Sequence, residues 1–317
     1  MRSAQREENT ALTLSIERAL GPDTSGQSFP ESPFAESAAL CPIGALDSGM
    51  GGLSVVAELR RILPGEDIIF YGDNANCPYG GRSDEWLRAR ILQVADFLLE
   101  QGAKALVVAC NAASAAGLEH LRARHSLPII GLVPAVKPAA LSSRSRTIGV
   151  LTTKATMRGR LLRDVIERFA DPEGVEVITS APDGLVQAVE RGDLHTPETS
   201  RIISDAIAPM LERGADAIVL GCTHFPFLKP LIVELAGEHV QVIDSGEGVA
   251  RHTANVLRAR HLLHPPGHSG SLTVYTSAGA EAVRSLVWSL VGEEAVVKHD
   301  DATRHADRPA PDTVQWV

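Results

Sequence analysis

Cys110 and Cys222 each close an apolar run and are followed at once by a small polar residue. The runs are Leu106-Val107-Val108-Ala109-Cys110-Asn111 and Ile218-Val219-Leu220-Gly221-Cys222-Thr223. Each predicts a buried parallel strand that delivers a thiol at its C-terminal end, the edge of an open α/β sheet where ligands bind. A thiol with an ordinary pKa of about 8.5 can be tuned either to give or to take a proton. Two of them, delivered by equivalent elements, fit an acid–base pair working on opposite faces of one carbon. A single buried cysteine is more often a small hydrophobe; the matched pair favours chemistry.

The neighbouring residues fit that reading. Asn111 and Thr223 place hydrogen-bonding groups directly after each cysteine, and the His224 imidazole can favour a thiolate or assist its proton transfer. Thr153 and Thr156 follow another strand at the same edge, where they either hold a carboxylate or cap a helix. Asp47-Ser48-Gly49-Met50-Gly51-Gly52 reads equally as an anion-binding turn or as a tight turn capped by Asp47 or Ser48. Ser54 breaks the dinucleotide fingerprint, so no nucleotide cofactor is indicated. Gly72–Gly81 is a long polar loop, and its Cys77, placed before a proline, is expected to be incidental. His261, His264 and His268 surround Pro265-Pro266; a metal is conceivable there, but a solvated loop is the expectation, and no metal is assigned. Lys104, Lys137, Lys154, Lys229 and Lys298 lack a pyridoxal-phosphate setting, and no Walker or His-Glu-x-x-His motif is present.

The elements that must position these groups are short apolar strands alternating with amphipathic helices. Strands are predicted at 43–46, 68–71, 105–109, 129–132, 147–151, 175–178, 217–221, 240–243 and 272–275. Val55, Val56, Leu59, Ile62 and Leu63 form one helical stripe; Leu87, Ile91, Val94, Ala95 and Leu98 form another. The fold class is therefore α/β, with parallel sheets covered on both faces. Ile43-Gly44-Ala45-Leu46 echoes Ile148-Gly149-Val150-Leu151 at an offset of 105, and the two cysteine strands echo each other at 112. Two related halves would bring both cysteines to one cleft, a common home for a small ligand.

The 317 residues carry 44% hydrophobic and 22% charged side chains with a net charge of −9, ordinary for a globular protein and unlike a nucleic-acid surface built on bulk positive charge. Four cysteines without C-x-x-C spacing make neither a disulfide framework nor a zinc or thioredoxin-type site. Neither a signal peptide nor a membrane span is visible, so a cytoplasmic location with reduced thiols is expected. Residues 1–40 are rich in Ser, Glu, Pro and Gly and read as an extension with a weak helical stretch at Ala11–Leu20; the tail 299–317 reads as flexible. Residues 41–137 with 245–298 are expected to form the first α/β domain, and 138–244 the second.

Asp47-Ser48-Gly49-x-Gly51-Gly52, Pro78-Tyr79-Gly80, Ala109-Cys110-Asn111 and Gly221-Cys222-Thr223-His224-Phe225-Pro226 occur in order and at fitting distances. Together they resemble glutamate racemase, of the cofactor-independent aspartate/glutamate racemase superfamily, from about Pro42 to Gly292. The resemblance implies two pseudosymmetric domains with glutamate between them, and deprotonation of its α-carbon by one cysteine with reprotonation by the other. It also implies that Asp47, Ser48, Tyr79, Gly80, Asn111, Thr153, Thr156, Thr223 and His224 contact or orient the amino acid. Asp47 would assist Cys110; Glu190 and His224 would assist Cys222. One departure stands out: Ala112 follows Asn111 where the family usually has threonine. Loss of that hydroxyl's bond to a charged substrate would cost on the order of 1.5–3 kcal/mol.

By this resemblance the chain interconverts L- and D-glutamate without cofactor, for peptidoglycan synthesis. The rivals are a relative acting on aspartate, a binding protein that has lost turnover and meets a partner such as DNA gyrase, and a redox dithiol protein. Relatives also imply activation by UDP-N-acetylmuramoyl-L-alanine and a homodimer, although no motif here specifies either.

Overall fold

The computed structural model describes residues 37–292 and 295–300. The weak helical stretch at 11–20 and the tail beyond Asp300 lie outside them. Two separate parallel sheets organise the chain. The first joins β1 (Ile43–Asp47), β2 (Ile68–Gly72), β3 (Ala105–Val108), β4 (Ile129–Gly131), β9 (Leu272–Thr276) and β10 (Val296–His299) in the order β10-β9-β2-β1-β3-β4. The second joins β5 (Thr147–Thr152), β6 (Glu176–Ser180), β7 (Ala217–Gly221) and β8 (Gln241–Ile243) in the order β6-β5-β7-β8.

The block β2-β1-β3-β4 repeats the topology of β6-β5-β7-β8, and the sequence echoes fall on its equivalent strands. Ile43–Leu46 and Ile148–Leu151 lie in the second strand of each block, and Cys110 and Cys222 follow the third. All nine predicted strands are present. β10 is an addition at the sheet edge, and His299, the expected start of the flexible tail, is its last residue. The end of the expected extension is also docked: Ala38 and Ala39 are buried, and Lys104 Nζ donates to Ala39 O at 2.6 Å.

Alternation along the strands feeds one apolar layer on each sheet face. Ile43, Ala45, Ala105 and Val107 join the layer under α1 (Leu53–Ile62), while Leu46, Leu106 and Val108 join that under α2 (Asp84–Glu100). Both predicted helical stripes sit there. Ile148, Val150, Ala217 and Val219 face one layer of the second sheet; Leu151, Ile218 and Leu220 face the other. The chain crosses between sheets after β4 and again after β8, and Ser245 Oγ ties the two crossings by donating to Val133 O at 2.8 Å. Among the described residues no helix is long and apolar enough to cross a membrane.

Candidate active site

The two cysteines stand at the C-terminal edges of the two sheets. Cys110 ends the β3 segment and is the N-cap of α3 (Asn111–Arg124), with no side-chain cap of its own. At the start of that fourteen-residue helix the Ala113 N–H faces the Cys110 sulfur. Behind the sulfur, Ser48 Oγ lies 4.0 Å away, and Asp47 fills the end of β1. Asp47 Oδ2 accepts from Gly52 N at 2.6 Å and from Thr223 Oγ1 at 3.1 Å, so it binds the second half of the molecule to the first. Burial pushes the Asp47 carboxyl up, against the pull of the His224 charge. Burial, together with that neighbouring carboxylate, pushes the Cys110 thiol well above its ordinary range.

The Cys222 side is built differently. His224 Nδ1 lies 3.7 Å from Cys222 Sγ, and His224 Nε2 lies 2.7 Å from Glu190 Oε1. Glu190, in α7 (Leu185–Arg191), also accepts from Met50 N and Asn74 Nδ2, both at 2.7 Å. Burial opposes charge on His224, but its bonds to Cys222, Cys77 and Glu190 outweigh it and hold the imidazole well above its ordinary 6.5. Burial likewise opposes the Glu190 carboxylate, and the His224 contact overcomes it, holding Glu190 below 4.5. The glycines of the first turn permit this approach: a Cβ on Gly51 would strike the His224 ring, and one on Gly49 would strike Glu190.

One narrow cavity is lined by Ser48, Tyr79, Gly80, Asn111, Ala112, Thr153, Thr156, Thr223 and His224 together with both cysteines. Asp47 and Glu190 stand behind this wall and reach it through Thr223 and His224. Asn111 Nδ2 is buried without a hydrogen-bond partner, which leaves a donor free for a ligand. Thr153 caps the short helix α5 (Lys154–Arg158) by accepting from Thr156 N, and its hydroxyl lies 3.1 Å from that of Thr156, so the capping reading holds for Thr153. Tyr79 is fixed by its hydroxyl, which donates to Asp73 Oδ2 at 2.7 Å; that carboxylate also takes two 2.8 Å bonds from buried Arg90. A larger cavity of about 730 Å³ lies beyond Ala112 and carries Arg88, Arg158 and Arg163 but neither sulfur. In the thiol-lined cavity two thiols, an imidazole and a partnerless amide converge, which makes it the candidate site.

Cys77 departs from expectation. Its sulfur, a Glu190 oxygen and a His224 nitrogen all lie within 4.8 Å of one another, so this thiol backs the imidazole instead of idling in a loop. Burial raises its pKa. Asn74 and Cys77 were not predicted site residues, because their partners lie more than 100 positions away. The trio could hold a soft cation, but both Glu190 oxygens are already taken, Oε1 by His224 and Met50 N and Oε2 by Asn74 Nδ2. All four cysteines are free, and Cys110 and Cys222 form no disulfide.

The Asp/Glu/hydantoin racemase family model matches residues 50–253. A glutamate racemase from Deinococcus radiodurans is 48% identical over 249 residues, 78% of this chain and 86% of that protein. The crystal structure of glutamate racemase from Francisella tularensis in complex with D-glutamate superposes with a TM-score of 0.74 at 27% identity, covering 84% of this chain and 99% of that one. Escherichia coli glutamate racemase, solved with L-glutamate and the activator UDP-MurNAc-Ala, gives 0.72 at 29% identity, covering 82% and 98%.

Proposed function

The chain belongs to the Asp/Glu/hydantoin racemase family, among its glutamate racemases, and on that premise we propose that it interconverts L- and D-glutamate by a cofactor-free, two-thiol proton exchange that supplies D-glutamate for peptidoglycan. The observation that supports the mechanism is that Cys110 and Cys222, delivered by two different sheets, line one cavity.

For the enantiomer whose C–H faces Cys222, Cys222 acts as the base and Cys110, whose ionisation burial and Asp47 both oppose, as the acid. Cys222 takes the α-proton from the enantiomer whose C–H faces it, and the C–H electron pair moves towards the carboxylate. Cys110 then delivers its own proton to the opposite face. Net, one proton is removed and one added, inverting the carbon, and the two sulfurs exchange protonation states. The reverse reaction, or exchange with water, restores them.

The α-proton of an amino acid is weakly acidic, so the developing negative charge must meet preorganised donors in a site that excludes water. The buried, partnerless Asn111 Nδ2 supports a donor role for that residue at the carboxylate. His224, kept charged by Glu190, balances the Cys222 side as its protonation changes. Asp47 acts in the opposite sense beside Cys110, its carboxylate disfavouring the thiolate and keeping a proton on that sulfur.

Chiral chromatography of the purified chain with L-glutamate and L-aspartate, without added cofactor, tests the substrate. D-glutamate appearing faster than D-aspartate is expected; the reverse makes this an aspartate-type relative, and neither product makes it a binding protein. Activation is part of the same reading, since the Escherichia coli relative was solved with UDP-MurNAc-Ala as activator. Turnover unchanged by that nucleotide removes this part alone.

A further inference from the structure

Away from the thiols, the fold assembles a second chemical cluster. One donor atom each from Asp67, His264 and His268 lie within 4.8 Å of one another. We propose that these three residues form a binding site for a divalent transition-metal ion of the zinc type, at the edge of the first sheet opposite the active site.

Asp67 immediately precedes β2, and Ser271 immediately precedes β9, its parallel neighbour. The cluster therefore sits at the N-terminal ends of strands whose C-terminal edge carries Cys110. Two imidazoles and one carboxylate are a donor set that borderline ions accept, with a fourth position left to water. Donors on a tetrahedral ion with bonds of about 2.0–2.1 Å stand about 3.3 Å apart. His268 Nε2 and Asp67 Oδ2 already stand 3.1 Å apart. The two imidazole rings stack, with centroids 4.1 Å apart and planes 23° from parallel.

The surroundings orient the donors as the outer shell of a metal site does. His264 Nδ1 lies 3.1 Å from Pro265 O; with its proton on that contact, Nε2 keeps a lone pair for an ion. The His264 backbone N–H donates to Glu66 Oε1 at 2.7 Å, and Glu66 is ion-paired to buried Lys104. Asp67 Oδ1 is occupied by Ser271, through N at 2.8 Å and Oγ at 2.6 Å, which leaves Oδ2 on the His268 side. Between the histidines lies Pro265-Pro266-Gly267, with Gly267 at φ +98°, and one nitrogen of each ring comes within 4.8 Å of an Asp67 oxygen. An ion there would fasten the loop before β9 to the start of β2. Its role is to stabilise the fold, and it stands independently of the racemase reading.

The full chain, stripped of metal, is titrated with Zn²⁺ alone by calorimetry and with Co²⁺ alone by absorption. Saturable binding is expected, with a higher melting temperature in Zn²⁺ and a Co²⁺ spectrum free of sulfur-to-metal charge transfer. His268→Gln and His264→Gln should each weaken Zn²⁺ binding by at least about tenfold, and Ser271→Ala by about tenfold. Racemisation by the metal-free histidine variants should equal that of the metal-free wild type, which also shows that they fold. Absence of saturable binding overturns the proposal. So does a His264→Gln/His268→Gln double variant that binds as many ions as the wild type, or a thiolate–cobalt band that assigns the ion to Cys77 and His224.

Discussion

Glu190 Oε1 and His224 Nε2 lie 2.7 Å apart, joining a helix of the second half to the residue that abuts Cys222. The same Glu190 oxygen takes the Met50 N–H from the turn after β1, so one carboxylate couples the imidazole beside Cys222 to both halves of the molecule. Glu190→Gln keeps the shape and removes the charge. Loss of a positioned acid–base partner costs about 10²–10⁴-fold in rate, and a fall of at least about a hundredfold in kcat is expected. The equilibrium constant between enantiomers is unity, so kcat/KM must fall equally in both directions. The asymmetry should emerge in the α-deuterium isotope effect, larger for the enantiomer deprotonated on the Cys222 side.

The dyad also makes stability depend on pH. His224 is raised above 6.5 in the folded chain, so its contribution is complete below 6.5 and is lost as pH rises through the elevated folded value. Glu190 is lowered below 4.5, so its contribution is complete above 4.5 and is lost as pH falls through the folded value. Between 4.5 and 6.5 both are fully present. Chemical denaturation should show that His224→Asn narrows its stability gap to wild type as pH rises above that window. A gap independent of pH would mean that the imidazole contributes packing alone.

Arg90 and Asp73 form a two-bond ion pair at 3% and 0% side-chain exposure, and Tyr79 hangs from the same carboxylate. Removing one partner from a buried pair strands the other charge, at a cost of about 3–5 kcal/mol. Arg90→Ala should lower stability by that amount in urea, and should reduce racemisation beyond the unfolded fraction because Tyr79 loses its anchor. Arg90→Lys, lacking the planar fork, should be intermediate.

Ala112 lines the thiol cavity and also borders the larger cavity beyond it, so an added hydroxyl and methyl have room. One hydrogen bond to a charged ligand amounts to about 1.5–3 kcal/mol. Ala112→Thr should therefore lower KM for glutamate by about tenfold or more, with kcat changed little. An unchanged KM would show that the missing hydroxyl is replaced by another donor.

Much of the architecture was legible because parallel strands buried on both faces are written as continuous apolar runs. β10 escaped because Lys298 and His299 make Val296–His299 polar and short, as an edge strand can be. The thiols announced themselves by ending two similar runs. Glu190 came forward only through family resemblance, since nothing near it in the chain signals its contacts with Met50, 140 positions away. The contact of Cys77 with His224 is hidden in the sequence for the same reason: only folding brings its loop against the imidazole. Asp67 and His268 lie 201 positions apart, and only the pairing of β2 with β9 joins them.

Racemisation in D₂O, followed by mass spectrometry of the α-carbon and by chiral chromatography, tests the two-thiol exchange most directly. Wild type should convert each enantiomer to its mirror image with deuterium at the inverted carbon. Cys110→Ser and Cys222→Ser should each slow inversion by at least about 10³-fold. Inversion at the wild-type rate by either variant, or inversion without deuterium uptake, would contradict the mechanism.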